Sequence, residues 1–168
     1  TVQTLKSYSR NFLGGLYFSF LLNLVDTVTV PTNVFKEKLV GHGCLKKKIN
    51  VIHSFINTKR FIPLNKKELQ KRYGYGNKKI IFYYGGLHEN KGVQYLIEAF
   101  PRVQEQMKNA VLLIAPRHLP NEWFLERVKK LGENVRIVTD DINVLEYLNL
   151  ADMLVLPYKN LRGTEGNP

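Results

Sequence analysis

The 168-residue sequence predicts an α/β fold: a parallel sheet with helices on both faces. Three observations carry that prediction. Short continuous apolar runs alternate with segments of 3.6-residue apolar spacing, glycine and proline stand between them, and nothing in the composition points to a disordered, fibrous or disulfide-built chain. Hydrophobic residues at 44% and charged residues at 23% are ordinary for a folded domain, and the single Cys44 excludes an intrachain disulfide.

Taken in chain order, "FLGGLYFSFLLNLV" (12–25) is apolar but too short for a membrane span, which needs ~20 residues, so it predicts a buried helix, with a helix lying on a membrane surface beside the basic residues that follow as the alternative. "DTVTVPT" (26–32) is a β-branched strand, after which Thr32 caps a helix that Gly41 and Gly43 end. A second strand lies near 49–53. Pro63 biases Ile62 away from helix, which makes 61–65 an extended connector and places a domain boundary there. A helix at 66–74 follows.

The rest alternates regularly. "KKIIFYYGG" (78–86) has the unbroken apolarity of a strand buried on both faces, and Val93, Leu96, Ile97, Phe100, Val103 and Met107 are spaced as one helix face. Strands at 110–116, 135–138 and 152–158 alternate with helices at 121–132 and 143–151. Such alternation with short connections implies parallel strands and right-handed crossovers.

Charge is unevenly placed. Residues 1–84 carry 15 Lys and Arg against 3 Asp and Glu, a net +12, while residues 85–168 sum to −1. A basic block fits an anionic partner, whether nucleic acid, membrane surface or phosphorylated substrate, and equally fits a surface that only maintains solubility. The run "LKKKIN" (45–50) reads as a solvated face that also suits anionic headgroups. No RNP-type aromatic strand, zinc spacing or helix-turn-helix pattern is present, so a nucleic-acid partner is not expected.

Ligands of open parallel sheets bind beyond the carboxyl ends of the strands. Four loops qualify: "GGLHENKG" (85–92), "PRHLPN" (116–121), "TDDIN" (139–143) and "KNLRGTEGN" (159–167). In the first, Gly85 and Gly86 clear the sheet, Asn90 is placed to cap the next helix, Gly92 permits close backbone approach and Lys91 adds charge beside helix-start N–H groups. That combination suits phosphate. The same glycines and lysine also serve a plain turn into a helix. His42, His53 and His88 lack metal or triad spacing, and no metal or other cofactor is expected.

In order, "VDTVTVPT", "INVIHSFINTKRFIP", "IIFYYGGLHENKGVQYLIEAF", "NVRIV", "LNLADMLVLPY" and "TEG" resemble the family 4, group 1 glycosyltransferases. These are retaining enzymes of GT-B fold that use nucleotide-sugar donors. The resemblance implies Rossmann-like halves: residues 1–63 as the end of the acceptor-side domain with the connector, and 64–168 as the nucleotide-sugar-binding domain. It implies that Lys91, with Gly92, contacts the donor diphosphate, that Glu165 contacts the donor sugar with Gly166 backbone on phosphate, and that backbone at Asp141 and Ile142 lies against the nucleobase. Glu165 opens an E-x7-E motif whose second glutamate falls past residue 168, so a chain truncated at both ends, and inactive alone, is expected.

The sequence departs from the family at three points. Gly85-Gly86 stands where the family has glycine-arginine, so Arg117 or His118 is a candidate for the missing charge. Phe55 stands where a glycine is usual. The half that carries the acceptor pocket is expected upstream of Thr1.

The resemblance implies a glycosyltransferase of hexosyltransferase type, a glycan or lipid-linked acceptor, and a cytoplasmic setting with peripheral contact at the inner face of a membrane. Two alternatives remain open: a basic nucleic-acid- or membrane-binding α/β protein, and a degenerate family member that binds nucleotide without transfer.

Overall fold

A computed structural model describes residues 12–139 and 142–159, with side chains from Leu16 onward. The described chain falls into two compact units, one up to Ile56 and one from Asn57 to Lys159.

In the first unit, helix α1 (Phe12–Leu24) precedes strand β1 (Val28–Val30), helix α2 (Asn33–Gly41), a 3-10 turn (Lys46–Lys48) and strand β2 (Ile49–Val51). The two strands pair in parallel, Val28 with Ile49 and Val30 with Val51. Thr32 caps α2 as predicted, its hydroxyl accepting from Phe35 N at 3.4 Å. Val30, Leu39, Cys44 and Ile49 form a small core against which Phe18 and Leu22 pack.

Two expectations change here. The helix at 12–25 is buried on one side only, and Leu16, Tyr17, Phe20 and Leu24 are each more than half exposed. An apolar helix needs partners all round to be buried, and this unit covers only the face bearing Phe18 and Leu22. The lysine run is not simply a solvated face, because Lys48 Nζ donates to Asn23 O at 2.6 Å and Val25 O at 2.9 Å. It satisfies carbonyls at the end of α1, where a cation also meets the negative end of the helix dipole. No described helix is long and apolar enough to cross a membrane.

The second unit holds helix α3 (Lys66–Arg72), strand β3 (Lys79–Gly85), a 3-10 turn (Glu89–Lys91), helix α4 (Val93–Gln106), strand β4 (Ala110–Pro116), helix α5 (Glu122–Lys129), strand β5 (Val135–Ile137), helix α6 (Val144–Leu150) and strand β6 (Met153–Leu154). All pairings are parallel, in the order β5-β4-β3-β6.

Successive side chains of a strand point to opposite faces, and both faces are covered. Tyr83, Leu112, Ile114 and Val135 pack with Val93, Ile97 and Phe100 of α4 and Phe124 and Val128 of α5. On the other face Ile80, Phe82, Val111 and Leu113 meet Leu69 of α3 and Tyr147 and Leu150 of α6. Each fully buried large side chain contributes roughly 1.5–3 kcal/mol, which makes this the dominant core. The molecule is thus α/β with a parallel sheet and helices on both faces, as the sequence predicts.

The last strand is shorter than 152–158. Val155 N still donates to Phe82 O at 2.9 Å, but Pro157 offers no N–H, and the chain leaves the sheet there. Asn149 of α6 ties down the connector by accepting from Leu64 N at 2.8 Å and donating to Ile62 O at 3.1 Å.

Candidate functional site

The chain runs from β3 outward through β4 to β5, then returns to place β6 on the other side of β3. The order therefore reverses between β3 and β6, and a crevice forms beyond the carboxyl ends of such a strand pair. The segments that follow these two strands are the loop at 85–92 and the stretch at 155–159.

They meet closely. Gly92 has φ +71, and a Cβ built on it would lie 1.7 Å from Pro157 O. Only glycine accommodates both the left-handed backbone and that approach. Beside it, Lys159 N donates to Asn90 O at 3.3 Å, Lys159 Nζ meets Glu89 Oε1 at 2.8 Å, and Lys91 Nζ lies 4.2 Å from the centre of the Tyr158 ring. The ion pair holds the Glu89 carboxyl below its usual range and the Lys159 ammonium above its own, chiefly through the hydrogen bond between them.

The glycine pair is fixed from beneath. The Tyr83 hydroxyl donates to Gly86 O at 2.5 Å, and burial, with Tyr158 nearby, pushes this phenol up to about 12, Arg117 acting in the opposite direction. Tyr83 therefore stays protonated and donating across the physiological range. A Cβ on Gly86 would come 3.2 Å from His88 Cδ2, so the imidazole occupies the space into which a longer residue would extend.

Asn90 is not the helix cap that the sequence predicts. It sits inside the 3-10 turn, and Gly92 is the cap of α4, with no side-chain bond. The reason is local: Lys91 N donates to His88 O at 2.9 Å and Gly92 N to Glu89 O at 3.1 Å, which tightens the chain before the α-helix begins. The helix-start N–H groups that geometry leaves over are those of Val93 and Gln94.

Arg117 joins the same rim. Its N–H donates to Gly85 O at 3.1 Å, and its guanidinium lies 5.5 Å from the Tyr84 ring centre. His88 and His118 line one cleft of about 200 Å³ with Leu119 and Trp123. Ile142 packs by its side chain into the core on the α6 face. Asp141, Glu165 and Gly166 lie outside the described residues. Among the described residues no group of three His, Cys, Asp or Glu side chains is gathered for a metal.

The sequence reading finds Gly85, Gly86, Lys91, Gly92 and Arg117, and the fold brings these together. It misses Glu89, Tyr158 and Lys159 as members of the same constellation. Their one available signal is position: Tyr158 and Lys159 follow the last apolar run, at the carboxyl end of the final strand.

The family model for glycosyl transferases group 1 matches residues 78–167. A bifunctional glycosyltransferase/methyltransferase of Fusobacterium nucleatum is 24% identical over 151 residues, covering 88% of this chain and 21% of that protein. Among solved structures, a glycosyltransferase from Rickettsia africae superposes with a TM-score of 0.72 at 21% identity, over 90% of this chain and 43% of that one. HepE of Anabaena, solved in complex with UDP, gives a TM-score of 0.70 at 14% identity, over 88% and 43%. At such identities the structural likeness is one of fold. The chain spans about a fifth of the length of the curated relative and less than half of either solved chain.

Proposed function

The chain belongs to the group 1 glycosyl transferases, and from that premise we propose that it forms donor-site elements of an enzyme that moves a sugar from a nucleoside diphosphate to an acceptor hydroxyl with retention at the anomeric carbon. The observation that carries this reading is the junction at the strand-order reversal. There Lys91 and the start of α4 are held against residues 157–159, shortly before Glu165-Gly166 in the chain. The UDP bound by the structural neighbour HepE supports a nucleoside diphosphate as leaving group.

In the reaction, the bond between the anomeric carbon and the diphosphate oxygen breaks and the acceptor oxygen bonds to that carbon. The acceptor's proton leaves with the diphosphate. Negative charge grows on the departing phosphate, and donors arranged beforehand stabilise it more in the transition state than in the bound donor. Lys91, the amides at the start of α4 and Arg117 fill that role. Arg117 takes the place of the arginine that Gly86 replaces. Glu165 orients sugar hydroxyls, because a carboxylate accepts several hydrogen bonds; Gly166 backbone meets phosphate, and Asp141 with Ile142 borders the base. Charge neutralisation by lysine, arginine and backbone leaves no step that calls for a metal.

The full-length gene product, assayed with a panel of nucleoside diphosphate sugars, should transfer one of them and give a product whose anomeric configuration by NMR matches the donor. Lys91→Ala should lower kcat/KM by about 10²–10³. An inverted product, or transfer indifferent to Lys91→Ala, would overturn the reading.

A further inference from the structure

We propose that Tyr158 is a positioning residue that aims the Lys91 ammonium at an anionic ligand without neutralising it. This rests on the reading that Lys91 meets a diphosphate. Its ammonium stands 4.2 Å from the centre of the Tyr158 ring, inside the ~6 Å range over which a ring quadrupole attracts a cation.

The neighbouring lysine shows the alternative. Lys159, 5.8 Å from the centre of the Tyr95 ring, is also 2.8 Å from the Glu89 carboxylate, which would compete with any phosphate for it. Lys91 forms no ion pair among the described residues. A π face attracts the ammonium and leaves its full charge for a ligand, whereas a carboxylate would not.

Main chain sets the spacing of ring and lysine. Tyr158 follows Pro157, whose carbonyl rests on Gly92, and Lys159 N is bonded to Asn90 O, so the two segments are joined on either side of the contact. Holding the flexible lysine stem before the ligand arrives removes rotamer freedom that binding would otherwise have to take away. The Glu89–Lys159 pair adds a second tie between the same segments, at the loop's outer edge, where Glu89 is strongly exposed.

The test uses the full-length gene product with inorganic pyrophosphate and UDP as probes. The Lys91 ε-methylene protons, assigned by their loss in Lys91→Arg, should be shifted upfield by the ring in the wild type and in Tyr158→Phe, and should return to the ordinary lysine position in Tyr158→Leu. Pyrophosphate affinity should stay within about twofold for Tyr158→Phe and fall roughly fivefold for Tyr158→Leu. In a Lys91→Ala background, Tyr158→Leu should then cost nothing further, which a general structural role for the ring would not produce.

Absence of the upfield shift in the wild type overturns the positioning. So does pyrophosphate binding that ignores Tyr158→Leu, or a loss of equal size with Lys91 already removed. Failure of the wild type to bind either probe while the shift is present overturns the diphosphate reading itself, and with it the purpose assigned to the contact.

Discussion

At the scale of single residues, Gly92 carries two demands at once. Its backbone is left-handed, and Pro157 O occupies the space where a Cβ would be. Gly92→Ala should lower the stability of the second unit by at least about 2 kcal/mol, read as a fall in its thermal midpoint, because left-handed strain and a backbone clash add. Gly86→Ala meets only the edge of an imidazole, at 3.2 Å, and should be milder. Gly92 is legible in "ENKGV" as a position that permits close backbone approach, a reading it shares there with a plain turn into a helix. Its contact with Pro157 is not legible, because the two residues are far apart in the chain.

At the scale of elements, the edge strand β6 is held at its start by one carboxylate. Asp152 accepts from Ile80 N at 2.8 Å and pairs with Lys66 at 2.8 Å and Lys79 at 3.3 Å, joining α3, β3 and β6. Burial pushes this carboxyl up, and Lys66, the Ile80 N–H and Lys79 outweigh it and hold it below the usual range. A carboxyl lowered on folding adds stability above its unfolded pKa of ~3.9 and loses it as pH falls through the folded value. Asp152→Asn should therefore be less stable than wild type by about 1–2 kcal/mol at pH 7, after allowance for partial exposure, and in urea titrations the gap should narrow as pH falls below the unfolded carboxyl value. Element identity is largely legible here: β4 spans Ala110–Pro116, the stretch its apolar run predicts, and α6 follows its Asn143 cap. Element ends are less so. The last strand stops at Leu154 because Pro157 and the approach to Gly92 take the chain out of the sheet, a decision made by a partner on another loop.

At the scale of the whole molecule, two units carry separate cores of unequal size. The first rests on Val30, Leu39, Cys44 and Ile49, and the second on two layers around a four-stranded sheet. Heating should give two transitions, the first unit melting earlier. Leu39→Ala should lower only the earlier one, by about 2–4 kcal/mol, and Gly92→Ala only the later; calorimetry of the two variants checks this. The charge imbalance, +12 in residues 1–84, belongs to this scale as well. One of those lysines, Lys48, caps α1, so a count of charges overstates what the surface offers a partner.

The α/β class, the alternation of elements and the loop bearing Gly85, Gly86, Lys91 and Gly92 follow from periodicity and residue type, because these are local properties that neighbours in the chain impose on one another. Which strands flank the reversal, what Gly92 touches, and the difference between Lys159, which pairs with Glu89, and Lys91, which lies over the Tyr158 ring, come from the tertiary structure. The Glu89–Lys159 pair spans 70 positions, and no local pattern encodes a partner at that distance. Such contacts exist because β6 returns beside β3, and that choice is made by burial of both sheet faces together.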